Sequence, residues 1–266
     1  MDLKNKQIII TGAAGGIGQR IAFAFAQKGS NLCLVDRTAE LLAPVVKELI
    51  GKGARCIAVA GDITSDEDIQ RIISETEARF GPVDVIVNNA GIMPFKLIKD
   101  TTQKEVMATL MVNTYGPIRL TQAVLPSMLE RHSGRIVNIG SMFATLCFPY
   151  FGLYSSSKAA IRGFSEALRR ELMDTGVGVT YIAPRATRTS QPAVFFEMAE
   201  KMKMNLDCPD KVANIVIDAV EKERSEVYIG WPERFFGLIN KLKPSLVDNG
   251  LKKQIAIMKD YASRMK

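Results

Sequence analysis

Seven short runs of almost unbroken apolar character recur along the chain: residues 7–11 (QIIIT), 31–36 (NLCLVD), 55–60 (RCIAVA), 83–88 (VDVIVN), 135–141 (RIVNIGS), 177–183 (VGVTYIA) and 226–231 (EVYIGW). A strand with one wet face alternates apolar with polar residues, whereas a strand covered on both faces does not. These runs therefore predict strands buried on both sides. The segments between them supply the cover: Ile17, Ile21, Ala22 and Phe25 form a helical stripe closed by Gly29, and Ile69, Ile72, Ile73 and Phe80 form another closed by Gly81. Strand and helix alternate, which predicts an α/β fold, a doubly wound and mostly parallel sheet of seven strands with helices on both faces. Such a sheet binds its ligand in the crevice outside the carboxyl ends of the strands, at the topological switch point.

Directly after the first strand comes Thr11-Gly12-Ala13-Ala14-Gly15-Gly16-Ile17-Gly18, and a helix begins at once. Glycines let the backbone bend sharply and approach a pyrophosphate, and the unpaired amides of a helix N-terminus favour its negative charge. Asp36 closes the second strand 24 residues after Gly12, close to the spacing of about 20 at which an acidic residue meets the ribose hydroxyls of a dinucleotide. A 2′-phosphate is repelled there, so NAD is favoured over NADP, although Arg37 next door is placed to pair with such a phosphate.

Tyr154 and Lys158 form a YxxxK pair on a strongly helical stretch, one turn apart on one face. A phenol ordinarily ionises too high for base catalysis at neutral pH, and a nearby ammonium lowers that value. Ser141 follows the fifth run, at a strand's carboxyl end, where its hydroxyl can donate to a substrate oxygen or cap a turn.

These pieces, in this order over about residues 5–190, resemble the short-chain dehydrogenase/reductase family. The TGxxxGxG pattern falls on Thr11, Gly12, Gly16 and Gly18; Asp62 matches the acidic residue near the adenine; Asn88-Asn89-Ala90-Gly91 matches the NNAG stretch. Asn113, Ser141, Tyr154 and Lys158 match the catalytic tetrad. The resemblance implies a Rossmann fold and hydride transfer between a nicotinamide and an alcohol or carbonyl. Tyr154 would exchange the proton, Ser141 orient the oxygen, Lys158 bind the nicotinamide ribose and lower the tyrosine pKa, and Asn113 hold a relay water. The implied cofactor site comprises Thr11, Gly12, Gly16, Ile17, Gly18, Asp36, Arg37, Asp62, Ile63, Asn88, Ala90, Gly91, Pro184, Thr187 and Thr189, with Tyr154 and Lys158 shared.

One departure stands out. The family's PGxxxT segment reads Pro184-Arg185-Ala186-Thr187-Arg188-Thr189 here, with Arg185 in the glycine position. Either the turn avoids glycine-only backbone conformations or Arg185 serves a purpose, such as meeting an acidic substrate group; a solvent-facing side chain is the plainer reading.

The expected organisation is a catalytic unit over residues 1–232, with a substrate-covering segment at 189–208, and a basic amphipathic extension at 233–266. The covering segment is rich in Phe195, Phe196, Met198, Met202 and Met204, which suits an apolar substrate or an ordinary core. Residues 234–266 hold eight Lys/Arg against two Asp/Glu, so nearly all of the net charge of +7 sits in the tail. Its apolar residues, Phe235, Phe236, Leu238, Ile239 and Leu242, then Leu251, Ile255, Met258, Ala262 and Met265, have helical amphipathic spacing. The second stripe either docks on the domain or a partner subunit, or lies on an anionic membrane.

No secretory leader or membrane span is evident, so a cytoplasmic protein is expected, peripheral at a membrane if the tail binds one. Cys33, Cys56, Cys147 and Cys208 form no CxxC pair and are expected to be reduced and mostly buried. His132 is the only histidine, and no ligand-spaced cluster suggests a metal. No nucleic-acid recognition motif accompanies the charge. Family pairing implies a homodimer or homotetramer through helices near 100–130 and 154–174. A non-catalytic dinucleotide sensor is the competing reading and would not need an intact Tyr154 and Lys158. Sugar-nucleotide epimerases share the YxxxK pair but carry a GxxGxxG turn and a larger substrate lobe.

Overall fold

The computed structural model describes residues 1–189 and 193–264. Its elements are β1 (Gln7–Thr11), α1 (Gly16–Gln27), β2 (Asn31–Asp36), α2 (Ala39–Gly51), β3 (Arg55–Ala60), α3 (Asp66–Phe80), β4 (Val85–Asn88), α4 (Gln103–Leu110), α5 (Gly116–Glu130), β5 (Gly134–Ile139), α6 (Gly152–Glu171), β6 (Val177–Ala183), α7 (Ala193–Lys201), α8 (Pro209–Glu221), β7 (Glu226–Tyr228), α9 (Trp231–Leu242) and α10 (Pro244–Arg264). The strands form one sheet in the order β3-β2-β1-β4-β5-β6-β7, and every pairing is parallel. This is the doubly wound Rossmann architecture, with its switch point between β1 and β4.

The two-sided cover is legible within β1. Ile8 and Ile10 pack in the layer that includes Ile21 and Phe25 of α1 and Val212 and Val216 of α8. Ile9 points the other way, into the layer of Ile69 and Ile72 of α3, Leu120 of α5 and Leu168 of α6. All three isoleucines are fully buried, each worth about 1.5–3 kcal/mol of transfer free energy. Helix starts are marked by local chemistry: the Thr38 hydroxyl accepts from Leu41 N at α2, and Ser65 does the same from Asp68 N at α3. Gly81, at φ +98°, ends α3 in a conformation that disfavours other residues.

A third apolar cluster joins Tyr150 and Phe151 to Phe195, Met198 and Met202 of the covering segment and to Met258 and Tyr261 of α10. Of the two readings of the second tail stripe, docking on the domain is the one adopted. Met258 is buried against α7 while Ile255 remains exposed; Met265 lies outside the described residues. Among the described residues, no helix is long and apolar enough to cross a membrane.

Several boundaries differ from expectation. The run at 226–231 is a strand only to Tyr228, because Gly230 takes φ +102° and Trp231-Pro232 opens α9. The segment near 100–130 is two helices joined by a π-helical turn, Met111–Tyr115, which carries Asn113; such turns gather at functional sites. Cys33 is buried and Cys56 partly so, but Cys147 and Cys208 are exposed, since both lie in connections rather than in core strands.

Candidate active site

The carboxyl ends of β1 and β4 meet at the switch point, with those of β5 and β6 alongside. At the end of β1 the glycine turn is packed as closely as its sequence implies. Gly12 has φ +64°, and a Cβ there would lie 2.8 Å from Ala90 Cα. A Cβ on Gly16 would lie 2.8 Å from Thr189 Cβ, and one on Gly18 would overlap the Gly12 carbonyl oxygen. Among the described residues, α1 has no side-chain cap and no acidic residue in its first turn, unlike α2 and α3. Its N-terminal amides are thus left for an external anion, and the cradle fits a pyrophosphate. Ile17 lines the same cleft.

Thr11 locks this turn to the exit of β4. Its hydroxyl donates to Val87 O at 3.3 Å and accepts from Asn89 N and Ala90 N at 3.1 Å. Asn88, expected at the cofactor, instead points into the sheet, where its Nδ2 donates to Asn138 Oδ1 at 2.8 Å. The neighbouring Asn89 takes the crevice side and donates to the carbonyls of Thr11 and Gly12 at 3.0 and 3.1 Å. Asn88 is the last residue of β4 and bonds across to β5, whereas Asn89 lies just past the strand end, where the crevice opens. At the end of β2, Asp36 Oδ2 accepts from Ala14 N at 3.0 Å and Oδ1 from Arg37 N at 2.9 Å; the Arg37 side chain is exposed. Asp62 is exposed and accepts from Thr64, while Ile63 packs beneath it against Gly116.

Asn113 is buried, and its side chain is committed within the protein. Oδ1 accepts from Ile92 N at 2.8 Å, and Nδ2 donates to Ile92 O at 2.8 Å and to Ser157 Oγ at 2.9 Å. It therefore pins the loop after Gly91 to α6. A Cβ on Gly91 would lie 3.2 Å from Asn113 Oδ1 and 3.5 Å from Lys158 Nζ, so the loop passes close to both groups. Lys158 Nζ donates to Ile139 O at 2.9 Å and stands 5.9 Å from the centre of the Tyr154 ring. Burial pushes the Tyr154 phenol above its ordinary value, and a hydrogen bond with Ser141 pulls it part of the way back. Tyr181, which no motif singles out, bonds the backbone of Ser141 at 3.4 Å through its hydroxyl. Its only signal was a tyrosine inside a buried strand, where a hydroxyl needs a partner.

Burial lowers Lys158 to about 8. Between there and the ordinary lysine value of about 10.4, the unfolded chain holds the extra proton. Stability from this group therefore rises with pH across that window and is lost as pH falls through about 8. Urea unfolding is expected to find the parent gaining about 2 kcal/mol relative to Lys158→Met between about pH 7 and pH 9.5.

Arg185 is not strained; its φ lies outside the left-handed region. Nor does it face solvent: it lines the cleft with its guanidinium already paired. It grips Asp207 with Nε at 2.8 Å and Nη2 at 3.0 Å, and reaches Glu233 of α9 at 3.4 Å. Although burial works against ionisation, the hydrogen bonds from Arg185 and Lys211 hold the Asp207 carboxyl below its usual range. Arg185 thus ties the covering segment to the tail. Pro184 O accepts from Met142 N, joining the ends of β5 and β6, and Thr187 Oγ1 donates to Arg185 O.

These elements enclose a cleft of about 600 Å3. Ser141, Tyr154 and Lys158 line it together with Phe143, Leu146, Phe148, Phe195, Met202 and Met204; Phe236, Ile239, Leu246, Val247 and Leu251 from the tail complete the wall. Amphipathic spacing reveals that the tail has a face to bury but not that this face closes the site.

The family model described as short chain dehydrogenase matches residues 6–199. A ketoacyl reductase, HetN, of a Nostoc species is 30% identical over 85% of this chain and 79% of its own length. A short chain dehydrogenase of Pseudocercospora fijiensis is 36% identical over 79% and 71%. The solved structure of a short chain dehydrogenase/reductase from Burkholderia phymatum, in complex with NAD, superposes with TM-score 0.84 at 22% identity, covering 92% of this chain and 96% of that one. LigO of a Sphingobium strain, in its apo form, gives TM-score 0.81 at 27% identity over 100% and 95%. With most of its sheet inside the matched region and relatives alike over most of both lengths, this chain belongs to the short-chain dehydrogenase family.

Proposed function

We propose that the chain is a nicotinamide-dinucleotide-dependent oxidoreductase that interconverts an apolar alcohol and its carbonyl, with Tyr154 as the acid/base. The observation that carries this reading is the convergence of Tyr154, Ser141 and Lys158 in an apolar cleft beside the glycine turn. The bound dinucleotide supplies or accepts the hydride. In reduction Ser141 donates a hydrogen bond to the substrate oxygen and Tyr154 gives that oxygen its phenolic proton; in oxidation the proton returns. Lys158 presents a buried ammonium beside both, and Asn113 fixes the Gly91 loop against it. We read residues 1–232 as the catalytic unit and the tail as the part that completes its substrate wall. Exposed Met107, Leu110 and Tyr115 near the junction of α4 and α5 support pairing of subunits there.

The Burkholderia relative's NAD is in keeping with this cofactor class. Asp36, its carboxylate held at the end of β2 by two backbone amides, supports NAD over NADP through repulsion of a 2′-phosphate. Asp36→Ala is expected to shift the ratio of kcat/KM values toward NADPH by roughly tenfold or more, about 1.4 kcal/mol, read by initial rates with each cofactor. The function itself is tested by following reduced nicotinamide absorbance against aliphatic, steroid, retinoid and acyl-chain carbonyls. An acyl-chain substrate is the first to try, since one relative is a ketoacyl reductase. Tight dinucleotide binding without turnover on any of them would favour a sensor instead.

A further inference from the structure

Helix α9 is seated on the protein by one side only. Gly237 is buried against Thr145, and Asn240 Nδ2 donates to Thr145 O. Glu233 meets Arg185, and Phe236 and Ile239 line the cleft. On the other side Trp231, Phe235, Leu238 and Leu242 follow one another at intervals of four, three and four, which gathers them within an arc of about 60°. Their exposures are 74, 48, 54 and 77%. Trp231 and Phe235 stack nearly parallel, ring centres 5.7 Å apart. Leu246, at the start of α10, is also exposed and lines the cleft.

Single exposed apolar side chains are ordinary, but a contiguous ridge of this size marks a surface with a partner. The charge around it chooses the partner. Arg234 and Lys241, seven residues apart, flank the ridge on one side and Lys243 follows it. The only acidic residue of α9, Glu233, is turned inward to Arg185. Two copies of this helix face to face would bring basic rims together with no carboxylate between them. An aromatic and aliphatic ridge with a basic rim suits the interface of an anionic bilayer, where indole rings sit at headgroup level and lysines meet lipid phosphates.

We propose that the ridge of α9 seats the protein on the surface of an anionic lipid bilayer, with the cleft opening beside the lipid. The docking stands on the ridge alone; that an apolar substrate reaches the cleft from the membrane rests on the function proposed above. The α10 stripe is not the membrane-facing element, because it is docked on α7.

Trp231 is the only tryptophan, so its emission reports this site directly. Without substrate or cofactor, vesicles of phosphatidylcholine with phosphatidylglycerol are expected to shift the emission to the blue, and brominated lipid to quench it. Phosphatidylcholine alone or high salt should weaken both effects. Phe235→Ser combined with Leu242→Ser, which keeps Trp231 and the cleft wall, should reduce vesicle partitioning at least tenfold, read by vesicle sedimentation because Phe235 stacks on the indole, while turnover of a water-soluble carbonyl stays unchanged. Arg234→Glu with Lys241→Glu should abolish the preference for anionic lipid. The proposal is overturned if no vesicle shifts the emission, if the Ser variant partitions like the parent, or if the shift follows protein concentration without lipid and sedimentation finds a dimer through α9. Because partitioning is measured without turnover, an inactive enzyme that still binds vesicles would overturn the proposed function and leave the docking standing.

Discussion

Tyr154→Phe is expected to lower turnover by at least a thousandfold while leaving dinucleotide binding within a few-fold of the parent. The change deletes one hydroxyl and keeps the ring, whose edge faces Phe143 at 6.2 Å between centres, so packing of α6 against the cleft should survive. What disappears is the hydroxyl proposed to give and take the proton at the reacting oxygen. Ser141 remains as a donor, and Lys158 remains buried beside it, but neither replaces a positioned general acid, which contributes about 10^2–10^4 in rate. Loss of the orienting hydrogen bond to the substrate comes on top of that.

The pH dependence separates the two directions. Burial raises the Tyr154 phenol, so the proton donor for carbonyl reduction is present throughout the neutral range. The phenolate needed for alcohol oxidation becomes more abundant as pH rises. The parent should therefore oxidise faster with increasing pH, whereas the phenylalanine variant should lose the part of that rise the phenolate supplies. Initial rates in both directions, with cofactor affinity measured in parallel by fluorescence, check this. A variant that turns over like the parent would remove Tyr154 from the chemistry; one that loses the cofactor as well would mean that its hydroxyl supports the site's structure.

The seven strands and the two helical layers were legible because strands buried on both faces are apolar almost throughout, and Ile8, Ile9 and Ile10 need cover on both faces. The glycine turn, Ser141, Tyr154 and Lys158 were legible because their spacing along the chain is short or follows a strand end. Three features were not. Asn88 and Asn89 are adjacent and chemically identical, and only the register of β4 decides which one enters the crevice. Arg185 finds Asp207 and Glu233 far along the sequence, and no local pattern encodes a partner at that distance. The tail's stripes gave amphipathic helices without saying which apolar face would be covered. Met258 went into the core, Phe236 and Ile239 into the cleft wall, and Trp231 to the surface.

Gly18→Ala is expected to cost the site its dinucleotide affinity by roughly a hundredfold or more, about 3 kcal/mol, and to lower the melting temperature. The added methyl would overlap the Gly12 carbonyl oxygen and lie 2.6 Å from Asn89 Nδ2. A backbone oxygen cannot rotate away as a side chain can. The Gly12 carbonyl is also tied in place, because it accepts from Gly15 N at 3.2 Å and from Asn89 Nδ2 at 3.1 Å. The turn must therefore open, which breaks the bonds from Asn89 to the carbonyls of Thr11 and Gly12 and carries the α1 amides away from the position a pyrophosphate requires. Gly163 provides the control. It lies in α6 with nothing within 4 Å of the position a Cβ would take, so Gly163→Ala should gain up to about 1 kcal/mol of helix propensity and bind dinucleotide as the parent does. Fluorescence titration with NADH and thermal unfolding of the two variants measure both effects. If Gly18→Ala binds as tightly as Gly163→Ala, the closeness of this turn is not what holds the cofactor, and the cradle at the start of α1 loses its assigned role.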